Sequence, residues 1–438
     1  MRRLRLLTAG ESHGPGMSGI LDGLPAGLRI STREVDRDLA RRQHGYGSGR
    51  RMQIERDAVE WTAGLRFGRT LGSPLAFGID NRDWASWRER MSVEPIPAAR
   101  RPKPITLARP GHADLAGAIK YDTGDMREVL ERASARSTAP RVAAGAVCRQ
   151  LLAASGVTLW SFVDQLGAIR AYPGVAEPMS GIPDGWWRRD RIAPTPPRCP
   201  DPEAEAAMVR EVDAVIEAGD SIGGSFVVIA EGMPIGVGSN AEWDTRLDAA
   251  LAAAAMGIQA VKGVEIGLGF GVLDQRGSQV HDEVDPERPA WGRRSNRAGG
   301  VEGGMSNGEP VVVRVAVKPV ATLRKPLDAV DLATGMPGRA HIERSDVAIL
   351  PRAAVVGEAM VALVLADALL ATFGGDTMGD LLAAVRRRRA RSQGPRGQRR
   401  SGSGTSAAVV GATAPDSLPP SAAEEATPLA AVQPGTDA

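Results

Sequence analysis

The stretch Asn307-Gly308-Glu309-Pro310-Val311-Val312-Val313-Arg314-Val315-Ala316-Val317-Lys318-Pro319 decides what kind of fold this chain adopts. Its valines are β-branched and stiff at χ1, which suits a pleated strand better than a helix. The turn-forming pair Asn307-Gly308 launches the strand, and Pro319, with no N–H to give a ladder, stops it. Period two over 311–318 puts Arg314 and Lys318 on one face. Upstream, the alanine-rich stretch 246–261 reads as a helix, with Gly263 just beyond it as a C-cap. Further upstream a helix is expected to run from Pro140, in its first turn, to about Ala154, with Ser137 or Thr138 near the N-cap. Downstream, the most apolar long stretch, 353–373, is interrupted by Glu358 and Asp367 and reads as a buried helix rather than a membrane span. Strands and helices mix without clean βαβ alternation, so the fold expected is α+β rather than a Rossmann or TIM arrangement.

Composition bounds the function. A chain of 438 residues with 43% hydrophobic and 24% charged residues buries a substantial core, and size alone allows roughly two or three domains. The formal net charge is only +2, with both signs interspersed, so no strong field commits the protein to nucleic acid or membrane, and any anion binding must be local. Two cysteines, Cys148 and Cys199, are too few for a disulfide framework and suit a reducing compartment. The basic start Met1-Arg2-Arg3 meets Glu11, Ser12 and His13 after a short apolar stretch and is no signal peptide, so a cytoplasmic location is expected. After Val385 come Arg386 to Arg389, Arg391, Arg396, Arg399 and Arg400, then a Ser/Gly/Ala/Pro/Thr stretch with almost no large apolar residue. Such a segment cannot bury enough surface to offset its ordering entropy, so 392–438 reads as a disordered tail behind a folded region 1–391. Its arginines read as the solvated end of a helix, with nucleic-acid contact as the rival meaning.

The chemistry-bearing residues lie in loops. There are five histidines: His13, His44, His112, His281 and His341. His13 stands in Gly10-Glu11-Ser12-His13-Gly14 and His112 in Arg109-Pro110-Gly111-His112-Ala113-Asp114, where Gly and Pro let a ligand approach closely. Imidazoles so placed suit proton transfer near neutral pH, and the plainer reading of each is a turn cap. No zinc spacing is present, so no metal is expected. Gly10-Glu11-Ser12-His13-Gly14 has the Gly-x-Ser-x-Gly form of a hydrolase elbow but follows almost no strand on which to build one. The Gly-rich loops 45–49 and 299–304 can present N–H groups to an anion, although neither is a Walker loop. Arg41, Arg42, Arg50, Arg51, Arg109, Arg132, Arg136 and Arg344 neighbour these loops or the histidine motifs, and arginine suits bidentate capture of phosphate and carboxylate. An internal echo is also visible: Glu131-Arg132-Ala133-Ser134 precedes Pro140-Arg141, and Glu343-Arg344-Ser345-Asp346 precedes Pro351-Arg352, each leading into an alanine-rich helix. A duplicated unit with a pseudo-twofold axis would produce it, and so would chance.

Taken in order, Gly10-Glu11-Ser12-His13-Gly14, Arg109-Pro110-Gly111-His112-Ala113-Asp114, Glu131-Arg132-Ala133-Ser134-Ala135-Arg136, the run 295–308 and Arg344-Ser345-Asp346 resemble the successive signatures of chorismate synthases. The resemblance implies a 1,4-anti elimination of phosphate and a C6 hydrogen from 5-enolpyruvylshikimate 3-phosphate, with reduced FMN and no net redox change. It also implies a β-α-β sandwich, helices between two antiparallel sheets, assembled as a homotetramer. By the same resemblance, His112 is the general acid and His13 its counterpart beside the phosphate, with Ser12 assisting and Asp346 relaying the substrate proton. Arg42, Arg136 and Arg344 fall at anion-binding positions, and Arg50 is the candidate to replace the arginine expected at position 48, where this chain has Ser48. The FMN-binding positions implied are Ser134, Ala135, Arg136, Ser137, Gln259, Ala260, Gly303, Lys318, Pro319, Val320, Ala321, Thr322 and Arg344. Ser137 stands where the family has glutamate, Pro140 where it has a helix former, and His44 where it has a small or aliphatic residue. No flavin-reductase module is visible, so an external flavin reductase or reduced-flavin supply is expected as partner, NADPH serving only indirectly as reductant. The rivals are a related flavin lyase acting on another phosphorylated cyclohexene acid and a non-catalytic flavin or anion binder. The joint presence of Ser12, His13, His112 and Asp346 argues against the binder.

Overall fold

The computed structural model describes residues 3–47, 57–171, 196–343 and 346–393. Ser48, Arg50, Arg51 and Arg344 therefore lie outside the described residues, as does the tail from residue 394.

Two antiparallel sheets carry the fold. The first has the order Arg5–Ala9, Gly16–Asp22, Leu75–Asp80, Glu60–Ala63. Its alternation is plain in the two inner strands, where Met17, Leu21, Leu75, Phe77 and Ile79 are buried while Ile20 is exposed. The second has the order Val261–Ile266, Val311–Val317, Gly224–Glu231, Thr158–Leu166, Ile169–Arg170. The valine run thus pairs on both sides, Val313 opposite Val228 on one and Ile266 on the other, which is why its β-branched residues are nearly continuous. Val311, Val313, Val315 and Val317 face the main core.

Two long helices join the sheets. Ala139–Ala154 packs against the first sheet and against Leu350–Phe373, which in turn packs on Thr158–Leu166 and Gly224–Glu231. Small residues permit the approach: a Cβ on Gly145 would stand 2.4 Å from Ala359 Cβ and 2.8 Å from its carbonyl oxygen. The helix over 350–373 is buried as expected, and each charge that interrupts it has a task. Asp367 accepts the backbone N–H groups of Arg3 and Leu4 at 2.7 Å. Glu358, fully buried, accepts Arg41 Nη1 and Nη2 at 2.9 and 2.7 Å, Arg149 at 2.9 Å, Arg198 at 3.2 Å and Ser161 Oγ at 2.6 Å. Asp38 takes further bonds from Arg41 and Arg149, so three guanidiniums and two carboxylates are sealed together.

Several local expectations need correction. The alanine-rich helix covers only Leu247–Met256, because Gly257 caps it. Gly263 is no C-cap; it sits inside Val261–Ile266, where the backbone must pair with the valine strand. The strand there ends at Val317, and Lys318 continues only through its N–H, which donates to Ala260 O at 2.9 Å. Thr138 does occupy the N-cap of Ala139–Ala154, but its hydroxyl bonds Ala135 O and gives no cap. Ser134 instead caps the 3-10 turn Ala135–Thr138 that leads in. Both cysteines are buried and unbridged.

Candidate active site

Three loops meet at the edge of this frame. The first follows Arg5–Ala9, a strand not expected before Gly10. The hydrolase elbow is absent all the same, because the chain returns as the antiparallel strand Gly16–Asp22 instead of entering a helix. Gly10 has φ +109° and a Cβ there would lie 2.4 Å from Gly16 O, so this tight return needs glycine. The return presents Ser12 and His13 to the helix Arg127–Ala133. His13 Nδ1 lies 2.9 Å from both oxygens of Glu131, and its backbone N–H donates to the same carboxylate at 2.8 Å. A carboxylate acceptor fixes the proton on Nδ1 and assigns proton exchange to Nε2. The ring stacks on Trp87 at 3.8 Å with 24° between planes. Arg127 and Arg90 lie 5.3 and 5.4 Å from the centre of that indole. Ser12 Oγ accepts from Ser134 Oγ at 3.0 Å.

The second loop repeats the device. His112 Nδ1 is 2.5 Å from Asp114 Oδ1, and Asp114 also receives Arg109 Nε at 2.7 Å and Nη2 at 3.0 Å. Asp114 is fully buried. Burial alone would push its carboxyl up, but the hydrogen bonds and charges of His112 and Arg109 hold it below the usual carboxylate range. Arg109 Nη1 donates to Thr322 Oγ1 at 2.9 Å.

The third loop, after the valine strand, joins the two. Lys318 Nζ donates to Gly111 O at 2.8 Å, beside His112, and burial with the nearby Lys262 lowers its pKa. From there a path of contacts runs back to Ser12. Lys318 N–H bonds Ala260, which holds a left-handed φ of +67°. The neighbouring Gln259 donates to Ser137 Oγ at 2.7 Å, and Ser137 Oγ donates to Ser134 O at 2.8 Å. Ala321 lies within 3.9 Å of a Cβ built on Gly111, and Pro319 within 2.9 Å of one built on Gly223. Ser221 Oγ reaches Val320 O at 2.8 Å.

Arg42 and Arg136 are buried together and share Asp57, at 2.5 and 3.3 Å. Arg136 Nη2 also donates to Asp80 O at 3.2 Å. Gly303 forms, with Gly304, the turn between Val301–Glu302 and Met305–Ser306; a Cβ there meets nothing within 4 Å, so the turn is open to a ligand. Asp346 pairs with Arg352 in the first turn of Leu350–Phe373. The remaining histidines have plainer partners: His44 Nδ1 meets Ala40 O at 2.6 Å as a helix C-cap, and His341 lies 3.4 Å from Glu343. Arg41 serves the buried cluster on Glu358, and Arg132 binds the carbonyls of Gly10 and Thr8 at 3.0 and 2.8 Å.

Sequence reasoning missed the acids. Glu131 and Asp114 stood inside the quoted motifs without a role, although a carboxylate two residues after a loop histidine was a signal for the second. Trp87, Asp57 and Arg127 come from segments with no motif at all. Among the described residues no cluster of three or more His, Cys, Asp or Glu has the arrangement of a metal site.

Orphaned polar atoms test whether a flavin suits this site. Among the described residues, buried Arg42 Nε, Gln43 Nε2 and Gln259 Oε1 have no hydrogen-bond partner. Donors for an anion and an amide carbonyl for a ring N–H fit a flavin phosphate and a polar heterocycle.

Two imidazoles, each held through Nδ1 by a buried carboxylate in loops that hydrogen bonds join, make a site suited to proton transfer, the equipment of an acid–base enzyme. A family profile described as chorismate synthase matches residues 4–370. The chain is 53% identical over 382 residues to the chorismate synthase of Rubrobacter xylanophilus, covering 87% of this chain and 95% of that one. It is 50% identical to that of Symbiobacterium thermophilum, covering 87% and 98%. A crystal structure of chorismate synthase superposes with a TM-score of 0.70 at 39% identity, covering 90% of this chain and 99% of that one. The chain belongs to the chorismate synthase family, and is accordingly a lyase of the shikimate pathway whose substrate is a small phosphorylated acid and whose family uses a reduced flavin.

Proposed function

We propose that this chain eliminates phosphate from 5-enolpyruvylshikimate 3-phosphate on the surface between His13 and His112, with FMN as its flavin. The observation that carries the reading is the double dyad: each imidazole is oriented through Nδ1 by a buried carboxylate, and both lie on one path of contacts through the expected cofactor residues. Arg42 and Arg136, which share Asp57, bind substrate anions, with Arg50 and Arg344 assigned to the same task. Ser134, Ala135, Arg136, Ser137, Gln259, Ala260, Gly303, residues 318–322 and Arg344 would hold FMN. Reduced FMN bound there would supply transient electron donation with no net redox change. The protein supplies position, charge and protons. His112 is the general acid toward the flavin or the departing phosphate, and His13, exchanging protons through Nε2 with Ser12 held beside it, is its counterpart next to the phosphate. Asp346, oriented by Arg352, accepts the proton that leaves C6.

The packing of Ala139–Ala154 and Leu350–Phe373 on each other and on separate sheets supports a β-α-β sandwich. That both helices begin with proline in the first turn supports an internal pseudo-twofold repeat. We assign the catalytic unit to 1–391, a cytoplasmic homotetramer supplied with reduced flavin from outside. Size-exclusion chromatography with light scattering tests the tetramer. The function is tested by anaerobic incubation with 5-enolpyruvylshikimate 3-phosphate and dithionite-reduced FMN, following chorismate absorbance and phosphate release. Turnover that vanishes in His112→Ala is expected. Absence of turnover in a chain that still binds FMN would overturn the substrate assignment.

A further inference from the structure

We infer that Arg127 and Glu343 form a bridge between the two imidazole sites, and that Glu343 is a positioning residue for His13 and His112 together. The inference rests on the assignment of those two histidines above. From one end, His13 meets Glu131, and Glu131 Oε1 receives Arg127 Nη1 at 3.0 Å. Arg127 Nη2 lies 3.7 Å from Glu343 Oε1, and Glu343 Oε2 lies 3.8 Å from Arg109 Nη1. Arg109 then grips Asp114, which holds His112. The series alternates in sign throughout: imidazole, carboxylate, guanidinium, carboxylate, guanidinium, carboxylate, imidazole.

Burial makes this alternation matter. The side chains of Glu131 and Asp114 are 1% and 0% exposed, Arg109 6% and Arg127 15%, so water screens the inner contacts poorly. Glu343, at 22%, is the most exposed carboxylate of the series and the member of it that pairs with both guanidiniums. Burial pushes its carboxyl up, but the His341 hydrogen bond and the charges of Arg109 and Arg127 prevail and keep it ionised. Its two long contacts are ion pairs rather than tight hydrogen bonds, so they hold the dyads in a common field without locking either ring. Glu343 and Glu131 also occupy corresponding places in the internal echo, each just ahead of an arginine, and Arg127 touches both.

The test uses the full-length chain and reads the imidazole ring nitrogens of His13 and His112 by 15N NMR, assigned by their loss in His13→Ala and His112→Ala. Glu343→Gln keeps shape and removes charge; Arg127→Gln cuts the bridge from the His13 side. Both variants are expected to move the resonances of both rings, while Glu89→Gln, in an exposed pair with Arg100, moves neither. Glu343→Gln is expected to lower kcat about twofold to thirtyfold with KM little changed, the range for residues that act through others. A Glu343→Gln spectrum in which either ring stays in place, or an Arg127→Gln spectrum that moves His13 alone, overturns the bridge. Full activity in His13→Ala and His112→Ala would instead overturn the site assignment, a result the ring spectra do not decide.

Discussion

Glu358→Gln tests whether the sealed charge cluster holds the fold together. In the native chain the carboxylate meets Arg41, Arg149 and Arg198 at 2.7 to 3.2 Å and Ser161 at 2.6 Å, all out of water. The amide keeps the shape and removes the charge, leaving three guanidiniums facing Asp38 alone. Each contact is worth about 5 kcal/mol of Coulomb attraction at an effective dielectric of about 20. Most of that is offset by the desolvation already incurred, so the expected loss is the ~3–5 kcal/mol typical of removing one partner from a buried pair. Urea unfolding at neutral pH reads it as a lower midpoint with unchanged slope. Acid gives a second reading. Burial raises the Glu358 carboxyl, but the charges of Arg41 and Arg149 outweigh it and hold it well below its ordinary 4.5. A depressed carboxylate stabilises fully above its unfolded value, so the gap between native and variant chains is constant from pH 7 to about 5 and shrinks as pH falls further. A gap under about 1 kcal/mol, or one that widens in acid, would refute the argument.

Asp114→Asn removes the carboxylate that fixes the His112 tautomer, so kcat is expected to fall toward the about hundredfold to ten-thousandfold loss of a positioned acid, measured by phosphate release. Gln259→Leu breaks the 2.7 Å bond to Ser137 and withdraws the orphaned amide oxygen; FMN affinity, read by fluorescence quenching, is expected to weaken roughly two- to tenfold. Gly145→Ala gains about 1 kcal/mol in helix propensity, but its methyl meets Ala359 at 2.4 Å. The overpacking cost of about 1–3 kcal/mol outweighs that gain, so thermal unfolding should move down.

What the sequence made legible were local patterns with one dominant cause. The valine strand was readable because β-branching, an Asn-Gly start and a proline stop agree, and the buried helix over 353–373 because Glu358 and Asp367 interrupt a run too apolar for the surface. Boundaries set by pairing were not readable: nothing local says that the alanine helix yields at Gly257 so that Val261 can pair with Val317. The histidines were legible as loop residues, but their carboxylates come from a helix 118 residues away in one case and from the next turn in the other. Arg314, expected to share a face with Lys318, is taken up at 2.7 Å by Asp164, two strands away, and at 3.0 Å by Glu265 on the adjacent strand. Cross-strand neutralisation of this kind is invisible without the register.

The arginines show why density of charge is a poor guide to a binding site. Arg41 belongs to Glu358, Arg109 to Asp114, and Arg132 to backbone carbonyls, so three of the arginines singled out near the motifs are structural. Arg388 and Arg389, within the basic run that begins at Arg386, bind the carbonyls of Ile235 and Gly232 and fasten the helix Met378–Ser392 to the body, a use that competes with nucleic-acid contact. Arg42 and Arg136 share Asp57, and Arg136 Nη2 also donates to Asp80 O at 3.2 Å, so the protein's own groups hold these two as well.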